Sequence, residues 1–265
     1  RRGPRELWQR NSFNSHFNLY MQIISCPAKL NLFLAIGKKI GNYHEIETVM
    51  MRAPKLEDFL HIQESENFQF ECKEVPENNL VVKAIDLLRE KTGRNFNYKI
   101  NLEKNIPLRS GLGGGSSDAA SILVFLNQKE NLGISHNDLM AIGAQIGMDL
   151  PFFISGHELA FATHYGEKIK ALKSLPKDFD YEIHLTGNEI STKEAYEKIT
   201  KISQKSPKKI LDAIEQSSTK KILENLHNDF ESVIPLSYQS NASERALLSG
   251  SGGAFAVFHV KNTHK

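Results

Sequence analysis

The sequence predicts an α+β fold that is divided into two subdomains near residue 160. Segments in which apolar and polar residues alternate, as in strands, are mixed along the chain with segments in which apolar residues recur at helical spacing. The pattern changes after Pro151, where short strands and amphipathic helices follow. We find no internal repeat and no low-complexity tract in the sequence.

The first predicted strand covers residues 22–36. A leucine or isoleucine stands at every second position from 30 to 36. Because strand side chains alternate between faces, Lys29 and Asn31 project together from the face opposite these apolar residues. A turn is predicted at Gly41–Asn42, since both residues tolerate positive φ. The strand therefore presents a lysine and an amide side by side.

The remaining elements follow from equally local patterns. Residues 80–88 are predicted to be helical, because their apolar residues have helical spacing, an Asn precedes them and Gly93 follows their end. Residues 96–102 alternate and predict a strand. The other predicted strands are 67–72, 157–163, 181–186 and 254–260. The other predicted helices are 116–126, 136–146, 192–202, 207–215 and 219–227.

Composition narrows the possible classes of protein. Of the 265 residues, 40% are hydrophobic and 24% are charged, which is ordinary for a globular protein. The formal net charge of +2 gives no reason to expect nucleic acid or an acidic membrane as a partner. No apolar run reaches the ~18 residues of a membrane span. We expect a cytoplasmic protein that is a monomer or a homodimer.

Neither the start of the chain nor the two cysteines indicate secretion. Residues 1–20 lack the apolar core of a secretory signal, and we interpret them as a tag or extension that precedes Met21. Cys26 and Cys72 have no CxxC partner, so we expect two buried free thiols in a reducing compartment. The histidines form no ligand-like pairs, so no metal-ligating residues are assigned.

The strongest chemical pattern is the glycine-rich segment 107–120, which precedes a predicted helix. Glycines let a backbone approach a ligand closely, and free N–H groups at a helix start favour an anion. Ser116 and Ser117 could either cap the helix or donate to phosphate. The segment lacks the Gly-Lys-Ser/Thr of a Walker A loop and the third glycine of a dinucleotide-binding fingerprint. It therefore predicts a phosphate site of another kind.

Three segments together resemble the GHMP kinases, a family that includes galactokinase and the homoserine, mevalonate and phosphomevalonate kinases. Residues 107–117 (Pro-Leu-Arg-Ser-Gly-Leu-Gly-Gly-Gly-Ser-Ser) resemble its phosphate-binding motif. Residues 26–34 resemble its first motif, and residues 249–254 (Ser-Gly-Ser-Gly-Gly-Ala) resemble its third, a turn that supports the active site. The order and spacing of the three agree with the family over nearly everything after residue 21.

This resemblance implies a fold, cofactors and nucleotide-binding residues. The fold would combine a ribosomal-protein-S5-like ATP-binding domain over residues 21–160 with a ferredoxin-like domain over residues 161–265. The cofactors would be ATP and Mg²⁺, with Ser116 as one possible contributor to the Mg²⁺ site. The residues that the motif assigns to ATP are Pro107, Gly111, Leu112, Gly113, Gly114, Gly115, Ser116 and Ser117.

Finer matches resemble one branch of the family, which phosphorylates the 2-hydroxyl of a methylerythritol carrying a cytidine diphosphate moiety, in isoprenoid synthesis. These matches are residues 27–32, 42–45 and 147–153. They imply that Asp149 is the general base and that Lys29 is its electrostatic partner. The residues implied in binding the acceptor substrate are Asn31, Tyr43, His44, Thr192 and Tyr196.

Some alternatives stay open on the sequence alone. The branch usually has Asp-Gly where this chain has Gly41–Asn42, and Ala where it has Met148. Another GHMP kinase of the homoserine or mevalonate type would share the phosphate motif. A non-catalytic nucleotide-binding sensor on the same fold could dispense with the base and the lysine, whereas this chain has both.

Overall fold

In the computed structural model, residues 21–186, 192–236, 238 and 244–261 are described, and they contain two sheets with helices packed against them. The strands are β1 (Gln22–Ile40), β2 (Tyr43–Glu64), β3 (Gln69–Glu71), β4 (Tyr98–Glu103), β5 (Leu159–Thr163), β6 (Lys168–Ala171), β7 (Phe179–Leu185), β8 (His227–Asn228), β9 (Glu244–Leu248) and β10 (Ala254–Val260). The helices are α1 (Leu80–Thr92), α2 (Gly114–Lys129), α3 (His136–Ala144), α4 (Leu150–Ile154), α5 (Thr192–Lys198), α6 (Lys208–Glu215) and α7 (Thr219–Glu224), and a 3₁₀ turn covers Asp229–Ser232. The interpretation of residues 1–20 lies outside the described residues.

The first sheet is built around a long antiparallel hairpin of β1 and β2. Its order is β3-β4-β2-β1-β8, and β5 joins β2 and continues to β6. The predicted turn at Gly41–Asn42 connects the hairpin, with Gly41 at a φ of +61°. The strand 22–36 is confirmed and extends to Ile40, whereas β2 was not predicted, because residues 48–51 are buried consecutively and show no alternation.

Helices α1 to α4 cover one face of this sheet and enclose a core with it. The Asn79 side chain accepts hydrogen bonds from the amides of Val81 and Val82 and so caps the start of α1. Gly93 ends the helix at a φ of +67°, and its N–H donates to the carbonyl of Arg89. The predicted helix is confirmed and continues to Thr92.

The second sheet has the antiparallel order β7-β10-β9, and α6 and α7 pack in its core. Part of β1, including Leu30 and Leu32, belongs to that same core, while Cys26 belongs to the first one. The middle of β1 is therefore covered on both faces, which buries Lys29 and Asn31 to 3% and 4% exposure. The boundary near residue 160 stays a prediction; β5 and β6 pair within the first sheet.

The two cysteines differ in their burial. Both cysteines are free thiols, as expected, and Cys26 is buried. The expectation that Cys72 is buried is wrong, because it follows the end of the short strand β3 and is partly exposed. Among the helices that the structure describes, none has the length and apolar character to cross a membrane.

Candidate active site

A cleft of about 580 Å³ brings the three sequence motifs together. Residues of β1, of the glycine-rich loop and of the turn between β9 and β10 all line it, and Asp149 and Tyr196 complete one side. The predicted site residues among its lining are Lys29, Asn31, Pro107, Gly111, Gly113, Gly114, Gly115, Ser116, Asp149 and Tyr196. Segments near the two ends of the described chain therefore form one surface.

The glycine-rich loop leads directly into α2. Gly113 is the N-cap residue at a φ of +72°, without a side-chain capping bond, and the helix begins at Gly114. Ser116 and Ser117 therefore lie within the first turn, and the capping alternative for them is wrong. The unbonded N–H groups of this first turn and the helix dipole make the cleft attractive to an anion. The side chain of Leu112 is fully buried and does not line the cleft, so its role in binding ATP stays a prediction that concerns its backbone.

Lys29 is held in place by a chain of buried hydrogen bonds. Its Nζ donates to Asn31 Oδ1 at 2.5 Å, and Asn31 Nδ2 donates to Thr48 Oγ1 at 2.8 Å. Thr48 Oγ1 in turn donates to the carbonyl of Phe33 at 2.7 Å. Burial lowers the pKa of Lys29, and the charge of Asp149 partly offsets this by raising it.

Asp149 stands at the start of α4 with its side chain free of any capping bond. It is half-buried, lines the cleft and acts electrostatically on two neighbours, Lys29 and Tyr196. Burial, and secondarily this carboxylate, raise the pKa of Tyr196. Within the described residues, the ion pairs shorter than 4 Å do not include Lys29 with Asp149, so these two charges interact at longer range.

The turn between β9 and β10 supports the site, as the third motif implied. The N–H of Gly250 donates to Asn31 Oδ1 at 2.9 Å. Ser249 Oγ donates to the carbonyl of Gly111 at 3.0 Å. The buried side chain of Asn228 in β8 donates to the carbonyls of Leu248 and Gly250, which fixes the turn to β8. Our sequence reasoning missed Asn228 and Thr48, because the contacts by which they support the site are with residues distant in sequence.

Of the two predicted tyrosines, one lines the cleft and the other does not. Tyr196 lines the cleft, and its ring stacks on His44 with centroids 5.3 Å apart and planes 20° apart. Tyr43 is more than half exposed and packs against Tyr165 instead, with centroids 5.4 Å apart. The side chain of Thr192 lies outside the described residues.

A charged cluster lies under the glycine-rich loop and was not predicted. Lys104 Nζ forms ion pairs with Asp58 and, at 2.9 Å, with Asp118 Oδ2. Asp58 Oδ1 also accepts hydrogen bonds from the amides of Asn105 and Ile106. Burial raises the pKa of Asp118 to about 7, although Lys104 acts in the opposite direction. The cluster fixes the strand before the loop to the helix after it.

Comparison with known proteins decides which family the site belongs to. Residues 79–157 match the model of the GHMP kinase N-terminal domain. The chain is 33% identical to 4-diphosphocytidyl-2-C-methyl-D-erythritol kinase of Syntrophotalea carbinolica, over 92% of this chain and 91% of that protein. The corresponding protein of Syntrophus aciditrophicus is 37% identical, over 89% and 85%. The chain belongs to the GHMP kinase family.

Solved structures agree with this GHMP kinase assignment. A crystal structure of 4-(cytidine 5'-diphospho)-2C-methyl-D-erythritol kinase matches with a TM-score of 0.71 and 27% identity, covering 89% of each chain. The phosphomevalonate kinase of Streptococcus pneumoniae matches with a TM-score of 0.66 at 14% identity, which supports the fold alone. The predicted α+β GHMP kinase fold is therefore confirmed, and the protein is an ATP-dependent kinase.

Proposed function

We propose that this GHMP kinase transfers the γ-phosphoryl group of ATP to the 2-hydroxyl of 4-diphosphocytidyl-2-C-methyl-D-erythritol. The observation that carries the proposal is the convergence of Lys29, Asp149 and the start of α2 in one cleft. The aligned relatives that bear this enzyme name cover most of the chain and support the choice of substrate.

Asp149 is the proposed general base. Its carboxylate lines the cleft and makes no capping bond, so it is available to accept the proton of the substrate hydroxyl. As the oxygen–phosphorus bond to the acceptor forms, the bond to the bridging oxygen of ADP breaks. Lys29 supplies positive charge beside the reacting groups, and its orientation is fixed by Asn31 and Thr48. Positioning and charge account for most of phosphoryl-transfer catalysis.

The nucleotide is proposed to lie with its phosphates at the first turn of α2. The lining beyond the loop includes Val75, Pro76, Asn79 and Leu80, which would then face the nucleoside part of ATP. No sequence pattern assigned these residues to the nucleoside, although Asn79 and Leu80 were predicted as the start of α1. Asn79 also caps α1, so ATP binding and the start of that helix share a residue.

Mg²⁺ fits this arrangement as a partner of the phosphates. The described residues contain no cluster of three or more His, Cys, Asp or Glu side chains that could enclose an ion. Mg²⁺ often takes one or two protein oxygens and completes its shell with phosphates and water. Ser116 lines the cleft at the start of α2 and would hold it. When bound, it neutralises charge on the phosphates.

For the acceptor we propose that the cytosine ring stacks beside Tyr196. This side chain lines the cleft and is supported from behind by His44 and by Phe230, whose ring meets it edge-on at 5.0 Å. An aromatic face held rigidly in this way suits a planar base. Tyr43 and Thr192 stay candidates for the same subsite, as does His44.

The test is ADP release from MgATP with the cytidine-bearing acceptor, mevalonate and homoserine supplied separately. We expect turnover with the first alone and its loss, by at least about 10²-fold, in Asp149→Asn. The matched control Asp212→Asn changes an exposed carboxylate on α6 and should leave turnover intact. Turnover with another alcohol would contradict the substrate, and unchanged turnover in Asp149→Asn would contradict the base.

A non-catalytic sensor is tested by the same experiment. Folded protein that binds ATP, and whose melting temperature rises with CDP, would bind the ligands that the proposal requires. If such protein turned over none of the alcohols, the catalytic proposal would fall and a sensor would be favoured. Turnover that depends on Asp149 excludes the sensor.

A further inference from the structure

The cleft carries more positive charge than the proposed mechanism uses. Its lining has three cationic side chains, Lys29, Lys104 and Arg109, and one carboxylate, Asp149. Lys29 is bonded to Asn31, and Lys104 is paired with two buried carboxylates, so both have structural partners. Arg109 has no ion pair or hydrogen bond of its guanidinium with the part of the chain that the structure describes.

The backbone at Arg109 is in a conformation that arginine does not favour. Its φ is +56°, in the left-handed region, which residues other than glycine rarely adopt. A Cβ on Gly253 would lie 2.5 Å from the carbonyl oxygen of Arg109. The loop is thus packed against the turn between β9 and β10 at this position. Strained positions that persist in this way cluster at functional sites.

We propose that Arg109 binds a phosphate group of the nucleotides that occupy the cleft. Three independent observations support this: its place in the lining two residues before Gly111, its unpaired guanidinium, and its strained backbone. Guanidinium forms two parallel hydrogen bonds with phosphate oxygens, which a lysine does not. The inference rests on the proposed function, since the phosphates are those of ATP or of the cytidine diphosphate acceptor.

Binding measurements distinguish the two phosphate sources without needing turnover. For the wild type and Arg109→Gln, affinities are measured for ADP against adenosine and for CDP against cytidine. We expect about tenfold weaker binding of one diphosphate, with its nucleoside unchanged, and a smaller loss in Arg109→Lys. The loss should shrink at high salt, because exposed charges are screened. Arg94→Gln, which removes a cation beside α1, is the charge control.

Stability measurements separate a binding role from a structural one. Arg109→Gly removes the left-handed penalty and should keep or raise the melting temperature while weakening the same diphosphate. Asn131→Gly relieves the same kind of backbone, at a φ of +49°, between α2 and α3 and should leave affinities unchanged. Equal diphosphate affinities in wild type and Arg109→Gln would overturn the proposal. A wild type that binds both diphosphates but turns nothing over would overturn the proposed function instead.

Discussion

Gly111→Ala should damage both stability and turnover, because the glycine-rich loop and the β9–β10 turn meet there without room for a side chain. A Cβ at Gly111 would lie 2.1 Å from the carbonyl oxygen of Ser249 and 2.8 Å from that of Gly252. Both contacts are with backbone, so relief requires a shift of about 1 Å in one of the two segments. We expect about 1 kcal/mol for the positive φ, which is +77°, and a further 1–3 kcal/mol for the overpacking.

The same shift should reach the proposed catalytic lysine. The turn that would move carries the N–H of Gly250, which bonds to Asn31 Oδ1, and Asn31 orients Lys29. Since a displacement of about 1 Å at an active site can cost about 10²-fold, we expect a loss of that size in kcat. Denaturant unfolding measures the stability change, and ADP release measures kcat.

Gly93→Ala is the matched control for this prediction. Gly93 also has a positive φ, at +67°, but a Cβ there has nothing within 4 Å. It should cost about 1 kcal/mol of unfolding free energy and leave kcat unchanged. If Gly111→Ala is no more destabilising than Gly93→Ala and retains kcat, the close packing of loop and turn does not position the site.

Two further predictions concern buried polar groups. Thr48→Val should cost about 1–3 kcal/mol of unfolding free energy and also lower kcat, because it leaves Asn31 Nδ2 without its acceptor. An unchanged kcat would show that the hydrogen-bond chain does not position Lys29. Asp118 has a folded-state pKa raised by burial to about 7 from 3.8, so the folded state holds its proton more tightly and stability falls as pH rises between these values. In denaturant unfolding measured at several pH values between 3.8 and about 7, Asp118→Asn should show a smaller fall in stability than the wild type. The control Asp86→Asn, which changes an exposed carboxylate on α1, should show the same fall as the wild type. An equally steep fall in Asp118→Asn would contradict the assignment.

The elements that the sequence predicted well are those with complete local patterns. The start and end of α1 follow from Asn79 and Gly93, and β10 matches its predicted bounds of 254–260. The hairpin strand β2 was missed although it has 22 residues. Val49 and Met51 belong to one core and Met50 to the other, so apolar residues occur without alternation. Burial on both faces removes the period on which strand prediction depends.

The candidate site shows the same division between local and non-local information. The glycine-rich loop and Lys29 were predicted from motifs, and the structure brings them into one cleft. Thr48 and Asn228 were not, because neither belongs to a motif or to a local pattern that marks a site. Their importance depends on partners elsewhere in the chain, at Asn31 and at the turn that follows β9.

Three hydrogen bonds, each with a backbone group on at least one side, join the segments of the site. The N–H of Lys29 donates to the carbonyl of Leu112 at 2.8 Å, which joins β1 to the glycine-rich loop. The loop is joined to the distant turn through Ser249, and the turn is joined back to β1 through Gly250 and Asn31. These three links close a circuit through both sheets, so the position of the Lys29 ammonium depends on all three segments. A phosphate-binding loop could be inferred from the sequence of one segment, whereas a phosphoryl-transfer site requires all three segments to be joined.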